Sequence, residues 1–294
     1  MVAQLGKYSI RAWPDCVEKH LSQFKFKFNP SFVKNKESNY LAIRVCKVEE
    51  EGIQALIYEW DDSGKYRLFN LSNHCHTNHG LSKVSDPKLF KIGHSVYCTF
   101  NTGHIENKSN QLFLFEIKDF EKIDIKECKY SERKRIEKNW SFFERNNELC
   151  ALYSINPLKI LKGTALDGGT INFNELYCED SQLPQYSIAS PMVQISKNKY
   201  VMISHKKLVC NNKRLYLGLP LIFNAKERTI TRSRSTYLIH SFTSLFGSKF
   251  KFNKNLISCT YFSGIDMNRN NFILSYGIND IDMRIVSVNR KLLI

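Results

Sequence analysis

The sequence predicts an all-β protein, a five-bladed β-propeller, on three observations. Helical periodicity is nearly absent. Short runs rich in β-branched and aromatic residues recur at 40–45, 54–58, 96–100, 111–115, 149–153, 200–203, 214–217 and 272–276, separated by polar turns such as Asp61-Asp62-Ser63-Gly64, which is the mark of many short strands. A short polar or proline-containing motif also recurs, each time followed after about ten residues by an apolar run. Its copies are Asn29-Pro30-Ser31, Asp86-Pro87-Lys88, Lys138-Asn139-Trp140, Ser190-Pro191-Met192 and Phe262-Ser263-Gly264.

The motif starts lie 57, 52, 52 and 72 residues apart. Four antiparallel strands and their turns fill about that length, which is one propeller blade. The expected organisation is a single domain, 1–294, with blades near 29–85, 86–137, 138–189, 190–261 and 262–294, the last closed with the N-terminal segment. A β-sandwich with coincidental spacing is the alternative. In a propeller the innermost strand of every blade lines a central channel, so the motif sets residues distant in sequence around one axis.

Composition bounds the function. No run reaches the roughly 18 to 20 apolar residues that cross a bilayer. The first 13 residues carry Lys7 and Arg11 without an apolar h-region, so no leader is expected. Nine cysteines stand singly with no CxxC pair, which predicts free thiols in a reducing cytoplasm. Lys and Arg number 43 against 28 Asp and Glu, a net charge of +15. These cations are spread along the chain, densest at Arg133-Lys134-Arg135 and Lys138, with no RNP, zinc-finger or helix-turn-helix pattern beside them. No nucleic-acid partner is expected; a phosphate-bearing ligand suits the charge. His74-Cys75-His76 and His79 fall in a segment, 73–80, read as a loop between the first two blades. They lack a distant second ligand pair, so no metal is expected. Gly163, Gly168 and Gly169 lack the Lys-Ser/Thr of a P-loop and read as a turn-rich connection in the third blade.

The ordered set Asn29-Pro30, Arg44, Asp86-Pro87, Lys138-Asn139-Trp140, His205, Tyr216 and Tyr276-Gly277 with Asp280 resembles glycoside hydrolase family 130. Those proteins are five-bladed propellers, mostly β-mannoside phosphorylases with related β-mannosyltransferases. The resemblance spans about residues 29 to 290. In the family the second motif usually reads Glu-Asp-Pro-Arg and its Asp is the general acid; here it reads Ser85-Asp86-Pro87-Lys88. The resemblance implies that Asp86 is the catalytic acid and that Arg44, Lys138, His205 and Tyr216 bind phosphate. It also implies that Asn29, Asn139, Trp140 and Asp280 contact substrate, with Trp140 as a pocket wall.

Inversion at a glycosidic carbon needs an acid on the bridging oxygen and a nucleophile on the opposite face. Phosphate is already anionic, so phosphorolysis needs cations and hydrogen-bond donors in place of a second carboxylate. The implied function is transfer of a glycosyl group, mannosyl by the resemblance, to or from phosphate or a phosphate-bearing donor with inversion. No cofactor is implied; the partners are a carbohydrate and phosphate, a sugar phosphate or a sugar nucleotide. Each residue alone also has a plain structural account, Asp86 before Pro87 being a turn residue. The altered flanks of Asp86 keep two further readings open, a non-catalytic glycan-binding or scaffold propeller and a basic interaction surface. The sequence does not decide the sugar, the linkage or the oligomeric state.

Overall fold

The structure is a computed structural model that describes residues 1–48, 52–104, 107–137, 139–166, 169–249 and 256–294. The chain opens with β1 (Val2–Gln4) and α1 (Asp15–Leu21). Antiparallel meanders follow. The first is β2 (Phe26–Asn35), β3 (Ser38–Cys46), β4 (Gln54–Asp61) and β5 (Tyr66–Asn70). After α2 (Leu71–His79), the second is β6 (Ser85–Ile92), β7 (Ser95–Asn101), β8 (Leu112–Glu116) and β9 (Lys126–Lys129). The third is β10 (Ser141–Arg145), β11 (Glu148–Ser154), β12 (Leu158–Leu166) and β13 (Thr170–Glu179). The fourth is β14 (Tyr186–Ser196), β15 (Lys199–Cys210), β16 (Lys213–Asn224) and β17 (Thr229–Arg232). Then β18 (Tyr237–Ile239) leads to a last set, β19 (Leu256–Asn268), β20 (Asn271–Ile278) and β21 (Asp282–Asn289).

The protein is therefore nearly all-β, and its sheets curl round into a propeller-like, nearly closed arrangement. Parallel pairings join neighbouring meanders, β13 to β9 and β16 to β19. The long 72-residue interval in the sequence is accounted for by β18 and the 3-10 turn Thr243–Leu245, inserted before β19. β1 pairs in parallel with β18, and Ser9 bridges Val286 of β21, so the N-terminal segment is stitched to the last meanders. Among the described residues, no helix is long and apolar enough to cross a membrane.

Side chains alternate across a strand with period two, and here both faces of the central strands are buried. In β8, Phe113 and Phe115 face the first meander while Leu112 and Leu114 face the third. In β11, Ala151 faces the second meander and Cys150 and Leu152 the fourth. In β15, Met202 turns to the third meander, Val201 and Ile203 to the last. The remaining seam joins Leu41, Ile43, Tyr58 and Trp60 to Ile273 and Ile285 of the last meander, with Val17 and Leu21 of α1 packed over it. Two-sided burial is why these strands read as continuous apolar runs rather than as hydrophobic–polar alternation. Each fully buried Leu or Phe contributes about 1.5–3 kcal/mol.

Two sequence expectations need correction. Residues 73–80 are not a loop: they belong mostly to α2, whose start is capped by the Asn70 side chain accepting from the Asn73 N–H at 2.9 Å and whose end is set by Gly80 at φ 63°. Its Asn, His and Thr residues hid the helix, because only Leu71 and Cys75 are buried against the core. Burial pushes the Cys75 thiol up to about 12, away from the thiolate that a metal needs. Gly163 likewise lies inside β12, opposite Phe173, not in a turn; Gly168 falls outside the described residues.

The first strands of the meanders meet at the centre. β2 packs on β6 and β19, and β14 packs on β19, β10 and β6. Four of the five motif copies lie in these strands, and each of the four marks a β-bulge. The ladder slips between Phe28 and Ser31, between Ser85 and Lys88, between Ile188 and Met192, and between Phe262 and Gly264. Asn29 and Asp86 hold φ of 52° and 50°, and Asn139, just before β10, holds 69°. Asn and Asp are the side-chain-bearing residues that best tolerate this left-handed backbone. Gly277 allows the approach of the first bulge: a Cβ there would stand 2.6 Å from Asn29 Oδ1 and 2.9 Å from its backbone nitrogen. Gly277→Ala is expected to cost about 1–3 kcal/mol, read as a lower urea midpoint at unchanged slope.

Candidate active site

The bulges re-aim side chains into one cavity of about 770 Å³ at the N-terminal ends of the first strands. Asn29, Arg44, Asp86, Asn139, His205, Tyr216 and Asp280 all line it. These positions, scattered over some 250 residues of sequence, are thus brought together.

Asp86 is 6% exposed. Its Oδ1 accepts from Arg44 Nη1 at 3.1 Å and from Asn29 Nδ2 at 3.0 Å. Arg44 reaches it from β3 with its guanidinium 4.9 Å above the Phe28 ring, a cation–π contact that fixes the fork. A buried carboxylate needs such partners, because desolvation otherwise drives it out of its charged form.

A second cluster forms the floor. Lys88, 2% exposed, donates through Nζ to Asn139 Oδ1 at 2.6 Å and to the carbonyl of Ala189, and lies 5.4 Å over the Tyr261 ring. Tyr261 donates its hydroxyl to the same Asn139 Oδ1 at 3.2 Å, and Asn139 Nδ2 donates to the Ile188 carbonyl at 3.0 Å. Burial, then the charge of Asp86, holds the Tyr261 hydroxyl well above its ordinary range. Burial, then the charges of Asp280 and Asp86, does the same to the Cys259 thiol in the wall.

His205, on β15, accepts the Phe262 N–H at Nε2, 3.2 Å away, and its ring stands 5.6 Å from Tyr216 and 5.1 Å from Tyr261. Burial, then the charge of Lys88, pushes its pKa down to about 3. His205 is accordingly a neutral imidazole, with one ring nitrogen accepting from the Phe262 N–H. Arg214 Nη1 donates to the Tyr216 hydroxyl at 3.5 Å. The lining carries the cations Arg44, Lys83, Lys134 and Arg214 against two carboxylates, Asp86 and Asp280.

One expected site residue ends elsewhere. Trp140 does not line the cavity: it is 2% exposed, donates Nε1 to Glu137 at 3.3 Å, and packs against Tyr153 and Phe173 in the seam between the second and third meanders. Its indole follows the left-handed Asn139 by one residue and turns into the seam. Tyr276 is likewise core, its hydroxyl 3.1 Å from His240 Nδ1. Lys138 lies outside the described residues. Lys88, Tyr261 and Glu137 were missed as site-forming residues, yet each is within two positions of a motif core: Asp86, Phe262 and Asn139.

No protein-family model matches the chain. Among curated proteins, β-mannosyltransferase 2 of Komagataella phaffii is 29% identical over 134 residues, covering 41% of this chain and 21% of that protein; the same protein of a second strain matches equally. The chain spans about a fifth of the length of these curated relatives. Among solved structures, the β-1,2-mannobiose phosphorylase from Listeria innocua superposes at a TM-score of 0.61 with 13% identity, over 92% of this chain and 91% of that one. A structure from the glycoside hydrolase family 130 of mannoside phosphorylases, a family containing glycoside hydrolases that target β-1,2 mannosidic linkages in Candida mannan, gives 0.60 and 10% over 91% and 85%. A glycosyl hydrolase from Bacteroides ovatus gives 0.59 and 10% over 91% and 86%. The chain has the fold of the family 130 mannoside phosphorylases.

The neutral state of His205 sets a pH dependence. Its folded pKa lies below the ordinary 6.5, so only the unfolded chain takes up its proton as pH falls through 6.5 toward about 3. Stability is then lost in that window, by up to about 1.4 kcal/mol per pH unit from this group. His205→Gln is expected to flatten that part of the slope, measured by urea unfolding at steps between about pH 7 and pH 4.5.

Proposed function

We propose that the chain is a five-bladed β-propeller, one blade per meander, that transfers a mannosyl group to or from phosphate or a phosphate-bearing donor with inversion. The observation that carries this reading is Asp86, held by Arg44 and Asn29 in the wall of a cavity whose cations outnumber its carboxylates. The mannosidic substrate is suggested by the fold shared with the β-1,2-mannobiose phosphorylase and by the partial match to β-mannosyltransferase 2.

In phosphorolysis, Asp86 in its acid form gives its proton to the glycosidic oxygen while phosphate oxygen attacks the anomeric carbon from the opposite face. The carbon–oxygen bond breaks, and the departing sugar leaves as an alcohol. In the synthetic direction the Asp86 carboxylate takes the proton of the acceptor hydroxyl as that oxygen displaces phosphate. Arg44, His205, Tyr216 and Lys138 hold the phosphate; Asn29, Asn139 and Asp280 hold sugar hydroxyls. The indole of Trp140 has a packing role in this scheme. Hydrolysis would need a second carboxylate poised to activate water, whereas the cationic lining suits an anionic nucleophile.

Asp86→Asn keeps a residue that tolerates φ near 50°, so folding is expected to survive. Phosphate release from mannose 1-phosphate with sugar acceptors is expected to fall about 10²–10⁴-fold. Near-normal turnover removes Asp86 from the mechanism. A glycan-binding propeller is the second reading, favoured by Ser85 and Lys88 at the flanks of Asp86; saccharide binding without turnover in the unaltered protein selects it.

A further inference from the structure

Glu137 is a buried carboxylate that the proposed reaction does not use. Its side chain is 6% exposed. Oε1 accepts the backbone N–H of Lys134 and the hydroxyl of Tyr153; Oε2 accepts Trp140 Nε1 at 3.3 Å and lies 3.5 Å from Arg133 Nε. The Tyr153 hydroxyl also accepts the Lys134 N–H at 3.3 Å. Beneath this, buried Asn110 accepts the Glu137 N–H at 2.8 Å, donates to the Glu137 carbonyl, receives Arg133 Nη2 and bonds its own N–H to the Arg135 carbonyl at 3.1 Å. A surface loop, 133–137, is thus held at its backbone by a buried polar network.

Such a network is costly unless fully bonded, and a surface loop does not need it in order to fold. What it grips faces the cavity: Lys134 and Tyr153 both line it, from a side remote in sequence from Arg44 and Tyr216. The Lys134 side chain is exposed, and what the network holds is the Lys134 backbone N–H. The charges are arranged consistently. Arg133 offsets the Glu137 carboxylate, so that carboxylate does not oppose an anion nearby. Burial and Glu137 push the Tyr153 hydroxyl upward, so it stays protonated as the donor that closes the clamp.

We propose that Lys134 is a further phosphate-binding residue of the cavity, and that Glu137 and Tyr153 are positioning residues that present it. This rests on the reading of the cavity as a site for a phosphate-bearing substrate and extends it to a second wall.

The test is calorimetric binding of inorganic phosphate, mannose 1-phosphate and β-1,2-mannobiose to the full chain. Lys134→Met is expected to weaken both phosphate ligands about tenfold, as loss of one charge-assisted contact does, and to leave mannobiose affinity and Tm unchanged. Lys134→Arg restores most of the loss. Tyr153→Phe weakens phosphate in the same direction by a smaller factor, again without moving mannobiose affinity. Wild-type phosphate affinity in Lys134→Met overturns the assignment while leaving the proposed function in place; unchanged affinity in Tyr153→Phe removes the clamp. If the unaltered protein binds neither phosphate nor mannose 1-phosphate, both the inference and the function it rests on fall.

Discussion

A lysine ammonium buried where the first strands converge is the contact on which the geometry of the site depends. Isolated in a protein interior, that charge would be strongly unfavourable. Here it is surrounded by the Asn139 amide oxygen, the Ala189 carbonyl and the Tyr261 ring, which belong to the approach to β10, to β14 and to β19. Lys88 itself is on β6, so one side chain ties the second meander to the three that follow. Its field also reaches His205 and, after burial, is the next largest cause of that imidazole remaining neutral. The same cation therefore fixes the position of Asn139 and the protonation of His205. The resemblance to family 130 places an arginine at this point. A lysine delivers its charge as a compact point with three rotatable donors, without the planar bidentate fork. The floor of this cavity is accordingly organised around a carbonyl, an amide oxygen and a ring face.

Convergence also requires the backbone to break its own pattern. A regular strand would send alternate residues into the two seams and leave none for the axis. Each bulge adds a residue and turns one side chain out of that alternation. Asn29 and Asp86 do this with left-handed φ, and Asn139 does so just before its strand begins. The bulges cost ladder hydrogen bonds, which side chains partly replace: Ser31 Oγ accepts the Leu89 N–H at 2.8 Å, and Ser190 Oγ accepts the Ile203 N–H at 2.9 Å. Ser263 Oγ donates to the Pro30 carbonyl at 2.5 Å, joining the last meander to the first. The serines of the motif are thus interstrand fasteners, and the asparagines and the aspartate are the groups delivered to the cavity.

This division explains what the sequence revealed. The second and third strands, such as β3, β8 and β20, were legible because both faces are apolar and their runs are continuous. The first strands were not recognisable as strands, since Asn29-Pro30 and Asp86-Pro87 interrupt them; they were found only because the interruption repeats. α2 was invisible because its exposed face is His, Asn and Thr, and just two of its residues reach the core. Asn29, Arg44, Asp86, Asn139, His205, Tyr216 and Asp280 were placed by the resemblance to family 130, and they share one cavity. Trp140 was misplaced because the residue after the left-handed Asn139 points into a seam, a distinction that the resemblance does not carry. Glu137 lacked any sequence signal beyond its nearness to a motif, and Lys88, although it stands in the motif, was read only as a changed flank of Asp86, since a buried charge is recognised only by the partners that bury it.

The distribution of charge completes the account. Along the chain the cations look diffuse, and the net charge of +15 gives no hint of a focus. In space, Arg44, Lys83, Lys134 and Arg214 meet at one cavity, although they come from four separate stretches of sequence. Low-dielectric walls concentrate the field of such a cluster and raise the local concentration of an anion. Arg44 is engaged with Asp86, so part of that field is taken up by a carboxylate already in the wall, and the arginine and the aspartate hold each other in place. Lys83, Lys134 and Arg214 reach the cavity without that pairing to Asp86, which is why its lining stays net cationic although its most buried charge is an acid.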